Sequence, residues 1–325
     1  MELRDSFDRK IDYIRLSVTE MCNLRCIYCV PGGREKTSRC SLPEKMPEFG
    51  KMLSFLHVAR KYGLKKVRIT GGEPLLRKDI VHLVREIKAI GIEDLSLTTN
   101  GQLLPFFAAG LKKAGLDRVN ISLDSLDARR YMEITRGGSL PRALRAVRVA
   151  KEVFWPAPVK INMVPIKGIN GSEIPGFARL TLENSFHVRF IELMPVGGSS
   201  FFFEGLRLTA QEAKEAIKAS MGGGQKLLPL GRSGSSDNYM FPGAKGVVGF
   251  ISPISGHFCD SCNRLRITAA GKIRPCLFSS REEDLSKAST EEEMEQLLLS
   301  SVLSKEKGSL LEKKVRFDSM QQVGG

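Results

Sequence analysis

Short apolar runs alternate with amphipathic stretches up to about residue 193. Six runs rich in β-branched residues have the length of strands, and stretches with helical periodicity lie between them. Three of the helical stretches end on a glycine, a common C-terminal cap. The strand runs are YIRLSV, KVRIT, LSLTT, RVNISL, VKINMV and HVRFIEL. The helical stretches are KMLSFLHVARKYG, IVHLVREIKAIG, LLPFFAAGLKKAG, LPRALRAVRVAKEV and residues 174–182.

This alternation predicts an α/β fold. Repeated βα units favour parallel strands with helical crossovers, and six units are too few to close an eightfold barrel. We therefore expect an incomplete TIM barrel of about six βα units. After the helical stretch TAQEAKEAIKASM comes the linker-like GGGQKLLPLGRSGSSD, where the βα rhythm stops. The expected domains are a partial barrel at residues 1–225 and a C-terminal domain at 226–325 that closes its open side.

Composition narrows the class of protein only modestly. The chain has 325 residues and 42% hydrophobic content, with no apolar run long enough for a membrane span and no signal-like N-terminus. A cytoplasmic protein is the expectation. The net charge of +14 is compatible with nucleic acid, a membrane surface or an anionic small substrate, and equally with a surplus of surface lysine. No block of like charge is long enough to be a basic arm.

The cysteines provide the first sign of chemistry. There are seven, so they cannot all pair as disulfides, and six of them form two groups of three, with Cys40 alone. The first group lies in CNLRCIYC, directly after a predicted strand. A structural zinc site needs four ligands, commonly as two close pairs, which this spacing does not supply. Three cysteines favour an iron–sulfur cluster with one iron left open.

The second group lies in CDSCNRLRITAAGKIRPC. Zinc competes more strongly here, because His257 could complete a Cys3His set. However, Arg264 and Arg266 lie between the cysteines, and guanidinium groups favour bidentate contact with phosphate. A second cluster beside a phosphate-binding site explains more of this segment.

Four basic residues lie in four different strand runs: Arg15, Arg68, Lys160 and Arg189. A barrel can point all four into its lumen, where an unpaired cation is costly, so that arrangement would imply a bound anion. Alternatively, some of them point outward and form surface ion pairs. The chain has no G-x4-G-K-[ST] loop, so a nucleotide would be held by side chains.

Several motifs occur together and in order: CNLRCIYC, VRITGGEPLLR, LTTNG, RFIELMPVG, FCDSCNRLRIT and a terminal Gly-Gly. This set resembles the radical S-adenosylmethionine superfamily and, within it, the family of two-cluster GTP cyclases of molybdenum cofactor biosynthesis. The similarity runs from about Tyr13 to the C-terminus. Departures are small: Val30-Pro31 stands where Met-Pro is commoner, Cys40 is additional, and the linker before the second group is short.

The resemblance implies two [4Fe-4S] clusters, S-adenosylmethionine as cofactor and GTP as substrate. The first cluster would be held by Cys22, Cys26 and Cys29, and the second by Cys259, Cys262 and Cys276. S-adenosylmethionine would contact Tyr28, Gly72, Ser122 and Met194. GTP would contact Arg15, Arg68, Thr98, Lys160, Arg264, Leu265 and Arg266. The candidate catalytic residues are Arg15, Arg189, Gly324 and Gly325.

The implied activity is that of a lyase. A hydrogen atom is taken from C3′ of the GTP ribose, and that carbon is joined to C8 of guanine. The implied partners are an electron donor and a downstream cyclic pyranopterin monophosphate synthase, with no nucleic acid and no membrane, and a homodimer is compatible. Two alternatives stay open: a two-cluster radical enzyme acting on a peptide, and a zinc-stabilised nucleic-acid-binding protein.

Overall fold

A single sheet of twelve strands forms the frame of the protein in a computed structural model, which describes residues 2–30, 49–195, 205–221 and 226–308. All six predicted strands are present. The strands are β1 (Tyr13–Ser17), β2 (Lys66–Thr70), β3 (Asp94–Thr99), β4 (Arg118–Ser122), β5 (Lys160–Met163), β6 (His187–Ile191), β7 (Leu228–Ser233), β8 (Ser236–Met240), β9 (Val247–Ile251), β10 (Arg264–Ile267), β11 (Lys272–Arg274) and β12 (Glu283–Asp284).

Eight helices pack around the sheet in the described part of the chain. They are α1 (Phe49–Lys61), α2 (Ile80–Ala89), α3 (Leu104–Lys113), α4 (Ala128–Thr135), α5 (Leu140–Val153), α6 (Ile174–Glu183), α7 (Ala210–Ser220) and α8 (Glu291–Leu303). The predicted helices are confirmed, and Gly63 adopts a φ of +88° two residues after α1 ends. The chain also has α4 and α8, which were not predicted. Each begins at a side-chain cap, Asp127 for α4 and Thr290 for α8.

The strand order is β12-β11-β10-β1-β2-β3-β4-β5-β6-β9-β8-β7. Strands β1 to β6 are parallel, which confirms the partial barrel, and the described strands do not close into a ring. The parallel part is wider than the six predicted strands, because β10 joins β1 and β9 joins β6, both in parallel. The C-terminal part of the chain therefore extends the sheet at both of its edges.

The described part of the glycine- and serine-rich stretch, from residue 226 onward, is not the predicted linker. Strands β7 and β8 form an antiparallel hairpin there, and Gly234 adopts a φ of +61° in its turn. Glycine tolerates this backbone conformation without the steric cost that a Cβ imposes. The domain division at residue 225 stays a prediction, although strands from both sides of it share one sheet.

The strands alternate between two environments. Ile14 and Leu16 of β1 are buried in the main hydrophobic core, as are Val67 and Ile69 of β2. The residues between them face the other side of the sheet, so Arg15 lies on the lumen side. The apolar face packs the sheet against its helices and leaves the lumen to polar side chains. Within the described residues, no helix is both long enough and apolar enough to span a bilayer.

Candidate active site

One cavity of about 610 Å³ occupies the lumen and is lined by both groups of three cysteines. The first group lies beyond the carboxyl end of β1, whereas Cys259 and Cys262 precede the amino end of β10. Because β10 is parallel to β1, with Arg264 opposite Tyr13, the two groups lie toward opposite ends of the lumen. At about 3.3 Å per residue, the five residues of β1 separate them by roughly 15 Å. A cavity of this volume suits small-molecule ligands.

Backbone hydrogen bonds hold the loop of the first group. Arg25 N donates to Thr135 O at 3.1 Å, and Ile27 N donates to Ile134 O at 2.9 Å. Both acceptors lie at the end of α4, one of the two helices that sequence analysis missed. Cys29 N donates to Cys26 O at 2.9 Å, which closes a tight turn between two candidate ligands.

Burial keeps the first group protonated in the absence of a cation. It raises the pKa of the Cys22 thiol to about 11 and also raises the pKa of Cys26 and of Cys29 well above the ordinary value. The neighbouring cysteine sulfurs add to the effect, because ionising one of them disfavours ionising the next. A positively charged cluster removes this penalty, and its binding releases protons.

The turn Gly71-Gly72-Glu73-Pro74 packs directly on the cysteine loop. Gly72 N donates to Thr19 O at 2.7 Å, and a Cβ at Gly72 would collide with Met21 O and lie 2.6 Å from Glu20 O. Only glycine permits this approach. Glu73 is fully buried and accepts hydrogen bonds from Leu75 N, Thr99 Oγ1 and Asn100 N. It therefore connects the loops after β2 and β3 beneath the first group.

Tyr28 lies on a buried carboxylate. Its hydroxyl donates to Asp124 Oδ2 at 2.6 Å, and Val164 N donates to Asp124 Oδ1 at 2.9 Å. Burial raises the pKa of Asp124 to about 6, although both hydrogen bonds act in the opposite direction. This pair fixes the orientation of the Tyr28 ring at the edge of the cavity.

The second group of cysteines has a more positive environment. Cys262 N donates to Cys259 O at 3.1 Å, and the Arg264 guanidinium lies 4.9 Å from the centre of the Phe258 ring. Burial alone would raise the pKa of Cys262, but the charges of Lys305 and Arg264 lower it to about 7. A thiolate therefore forms at Cys262 near neutral pH, which suits a metal ligand.

The structure does not support the zinc alternative. Within the described residues, no group of three or more His, Cys, Asp or Glu side chains could hold a single metal ion. His257 is exposed, and its Nδ1 lies 2.8 Å from Pro253 O. The six described cysteines are free thiols. A cluster of several irons needs no such compact set, because each cysteine binds a different iron.

A row of basic residues crosses the lumen. Arg15 lies opposite Arg266 of β10 and Arg68 of β2, and Ser96 of β3 lies opposite both Arg68 and Arg118. All four arginines line the cavity, together with Lys160, Arg189 and Arg264. Arg118 forms a two-pronged ion pair with Asp94, whose Oδ1 lies 2.9 Å from Arg118 Nε. The described lumen thus carries a large excess of positive charge.

That excess is visible in the pKa values. Burial, together with the charges of Arg189, Arg118 and Arg68, lowers the pKa of Lys160 to about 6. Burial and its basic neighbours also lower the pKa of Arg189 to about 9. Each group would regain its ordinary pKa beside an anion. The site is therefore suited to a ligand with several negative charges.

Several polar atoms in the cavity wall are buried without a hydrogen-bond partner among the described residues. They include Tyr13 Oη, Thr98 Oγ1, Asn162 Oδ1, Arg118 Nη1, Arg189 Nε and Glu192 Oε1. Buried polar groups are normally paired, and a ligand that occupies the cavity would pair these. These atoms include both donors and acceptors and so fit a polar ligand, and the excess of cations in the same wall favours an anionic one.

All the described residues that the family resemblance assigns to the site line this cavity, with one exception. Leu265 is 1% exposed and packs in the hydrophobic core, because it alternates with Arg264 and Arg266 along β10. Cys40, Gly324 and Gly325 lie outside the described residues. The sequence-proposed residues that line the cavity are Arg15, Cys22, Cys26, Tyr28, Cys29, Arg68, Gly72, Thr98, Ser122, Lys160, Arg189, Met194, Cys259, Cys262, Arg264, Arg266 and Cys276.

Sequence reasoning missed other residues in the wall. Arg118 begins the strand run RVNISL, and its side chain lies on the same face of the sheet as that of Arg68. Aligning the predicted strands in register would therefore have identified Arg118 as a lumen residue. Asp124 directly follows that run, at the carboxyl end where parallel strands place ligand contacts. Tyr13 and Asn162 carry no comparable signal, since both residue types are common in strands and loops.

Comparison with known proteins identifies the two parts of the chain. Residues 16–181 match the model of the radical SAM superfamily, and residues 186–311 match the model described as Molybdenum Cofactor Synthesis C. A GTP 3′,8-cyclase of Petrotoga mobilis is 44% identical, with 99% of each chain covered. A GTP 3′,8-cyclase of Listeria welshimeri is 48% identical, with 87% of this chain and 84% of that protein covered.

Solved structures support the fold. The crystal structure of Streptococcus suis SuiB bound to the precursor peptide SuiA has a TM-score of 0.64 and covers 90% of this chain and 67% of its own. The structure of anSMEcpe with bound AdoMet and a peptide has a TM-score of 0.52 and covers 90% and 82%. Their identities to this chain are only 15% and 14%, so the likeness concerns the fold and does not extend to a peptide substrate.

Proposed function

Since the chain belongs to the GTP 3′,8-cyclase family of the radical SAM superfamily, we propose that its lumen holds GTP between two [4Fe-4S] clusters. The activity is conversion of GTP to (8S)-3′,8-cyclo-7,8-dihydro-GTP, the first step of molybdenum cofactor biosynthesis. The enzyme uses S-adenosylmethionine and an iron–sulfur cluster.

One observation carries the proposal for the second cluster and for the substrate site. Both groups of three cysteines line the same cavity, and the basic residues lie in the same wall. A cluster with a purely structural role would not need to lie at a cavity lined by basic side chains. Three cysteines at each end leave one iron of each cluster for a ligand that is not protein.

Each group of residues has a distinct proposed role. Cys22, Cys26 and Cys29 hold the first cluster, and Tyr28, Gly72, Ser122 and Met194 line S-adenosylmethionine. When bound, the first cluster and S-adenosylmethionine supply the one-electron chemistry that removes a hydrogen atom from C3′ of the ribose. Cys259, Cys262 and Cys276 would hold the second cluster, and its open iron would offer a ligand position for the guanine end of GTP.

The basic residues bind and orient the substrate. Arg15, Arg68, Lys160 and Arg266 compensate the triphosphate charge, and Arg264 lies beside the second group of cysteines. A substrate held at both ends keeps C3′ and C8 in a fixed relation, which lowers the entropic part of the barrier. Arg189 donates to Asn120 Oδ1 at 2.7 Å, so its position is set before substrate arrives. All of these residue assignments, including those of Thr98, Leu265, Gly324 and Gly325, stay predictions from the family resemblance.

The iron content of two triple variants tests the two-cluster proposal. We expect about eight iron atoms per chain in anaerobically reconstituted protein, four per cluster. Replacement of all three cysteines of either group by alanine should leave about four. Loss of all iron from one triple variant, with no loss from the other, would contradict the proposal of two independent clusters.

Turnover tests the substrate site. Reconstituted protein with reductant, S-adenosylmethionine and GTP should yield 5′-deoxyadenosine together with the cyclic product. The double change Arg264→Ala plus Arg266→Ala should abolish the GTP-dependent yield. The matched control is Arg142→Ala plus Arg145→Ala, two exposed arginines of α5 that do not line the cavity. Unchanged GTP-dependent turnover in the first double variant would refute the assignment. The electron donor, the downstream synthase and a homodimer stay predictions.

A further inference from the structure

Lys305 lies just after α8, with its side chain buried against the second group of cysteines. Its Nζ donates to Arg264 O at 2.9 Å, to Pro275 O at 2.7 Å and to Cys262 Sγ at 3.9 Å. An ammonium group has three N–H donors, so these three acceptors use all of them. Lys305 thereby connects the segment of Cys262 to the residue that precedes Cys276.

None of these three acceptors is a carboxylate. Lys305 is only 5% exposed, and a buried cation is costly unless a negative charge lies nearby. Among its three hydrogen-bond acceptors, the sulfur of Cys262 is the atom that can carry that charge, and the Cys276 sulfur and the Asp5 carboxylate also favour the ammonium electrostatically. The ammonium is therefore paired with a candidate cluster ligand.

Arg9 extends the same arrangement to the remaining cysteine. Its Nη1 donates to Cys259 O at 2.8 Å, and its Nη2 donates to Glu306 O at 2.8 Å. The Arg9 guanidinium is itself held by Asp5, with Nε donating to Oδ2 at 2.6 Å. The two-residue segment of Lys305 and Glu306 is thus connected to the loops of all three cysteines.

We propose that Lys305 is a positioning residue for the second cluster. Lys305 holds the loops of Cys262 and Cys276 together and supplies the buried positive charge that stabilises the cluster when it is reduced. The inference rests on the proposed second cluster. A nearby cation favours the state with the extra electron, so Lys305 raises the reduction potential of that cluster. It also slows cluster loss, because it keeps the ligand loops together.

The test uses the full chain with Cys22, Cys26 and Cys29 replaced by alanine, which retains only the second cluster. Lys305→Met removes the charge and the donors at similar volume, and Lys305→Arg keeps the charge. Lys307→Met is the matched control, since Lys307 is exposed and two residues away. The readouts are iron content, an anaerobic redox titration followed by electron paramagnetic resonance, and the rate of colour loss in a chelator.

We expect Lys305→Met to lower the ratio of reduced to oxidised cluster about tenfold at a given ambient potential, a shift of 59 mV for a one-electron couple. Cluster loss should be several-fold faster. Lys305→Arg should shift the reduction potential only slightly. Lys307→Met should have the same reduction potential and the same rate of cluster loss as the cysteine triple variant. If Lys305→Met assembles no cluster, Lys305→Gln, which keeps amide donors without charge, is titrated in its place.

The outcomes separate the two proposals. If the cysteine triple variant holds no iron, the second cluster is absent and both proposals fail. If it holds about four irons, and the neutral variants at position 305 keep its potential and its rate of loss, the second cluster stands and the role of Lys305 is refuted.

Discussion

GTP binding should be coupled to proton uptake at Lys160. The pKa of Lys160 is lowered to about 6 in the ligand-free protein, where burial and three arginines disfavour its charge. A bound triphosphate reverses the electrostatic balance and favours the ammonium form. Above pH 6, the protein must therefore take up a proton at Lys160 when it binds GTP.

The size of the effect follows from the pKa. With a value of about 6, Lys160 is about half protonated at pH 6 and about 1% protonated at pH 8. If the triphosphate holds the pKa well above 8, the Lys160 contribution should raise the dissociation constant about 50-fold between these two pH values, or about 2.3 kcal/mol. The sign is that binding weakens as pH rises. His187 contributes nothing in this range, since burial lowers its pKa to about 4.

Isothermal titration calorimetry under anaerobic conditions measures this coupling. S-adenosylmethionine is left out so that GTP binds without turnover. Titrations at pH 7.5 in two buffers of different ionisation enthalpy count the protons taken up. Lys160→Arg is the control, because arginine stays charged throughout this range. The terminal phosphate of GTP also titrates near pH 6, but it does so equally for both proteins. The wild type should take up about one proton more than the variant. Equal proton uptake and parallel pH profiles would refute the reasoning.

Two further substitutions test the close packing of the fold and the site. Gly72→Ala should drive the cysteine loop away and remove about four irons per chain. Gly50→Ala in α1, where the new Cβ meets no atom within 4 Å apart from its chain neighbours and its own helix backbone, should keep all of them. Full iron content in Gly72→Ala would contradict the packing argument. Phe177→Ala, at a fully buried position in α6, should lower the free energy of unfolding by about 3–5 kcal/mol in urea denaturation. Phe106→Ala, at a side chain 78% exposed, should change that free energy little, and similar losses in both variants would count against the core assignment.

Local patterns were sufficient for most elements of the barrel. The run KVRIT coincides with β2, and the helical stretch LPRALRAVRVAKEV coincides with α5, because alternation and helical periodicity are properties of neighbouring residues. The helix α8 was missed because its first turn is Glu291-Glu292-Glu293, which suggests a solvated charge run. In the structure these carboxylates lie at a helix N-terminus, where the macrodipole favours negative charge.

The hairpin β7–β8 was predicted as a linker for a similar reason. Its strand β7 is exposed throughout and carries no alternation of buried and exposed positions. The backbone pairing of β7 with β8, and of β8 with β9, gives this segment its structure. Glycine and serine content alone cannot distinguish a flexible linker from a hairpin at the edge of a sheet.

The sequence by itself determined the chemistry: two groups of three cysteines, the glycine turn after β2 and the basic residues distributed over separate strands. Only the tertiary structure decided that these features share one cavity. That outcome depends on β10 pairing in parallel with β1, about 250 residues away, and this pairing sends Leu265 into the core and both flanking arginines into the lumen. The alternation of core-facing and lumen-facing residues can be recognised within a strand's own sequence. The strand with which it pairs depends on which sheet edge is left free once the rest of the chain has folded.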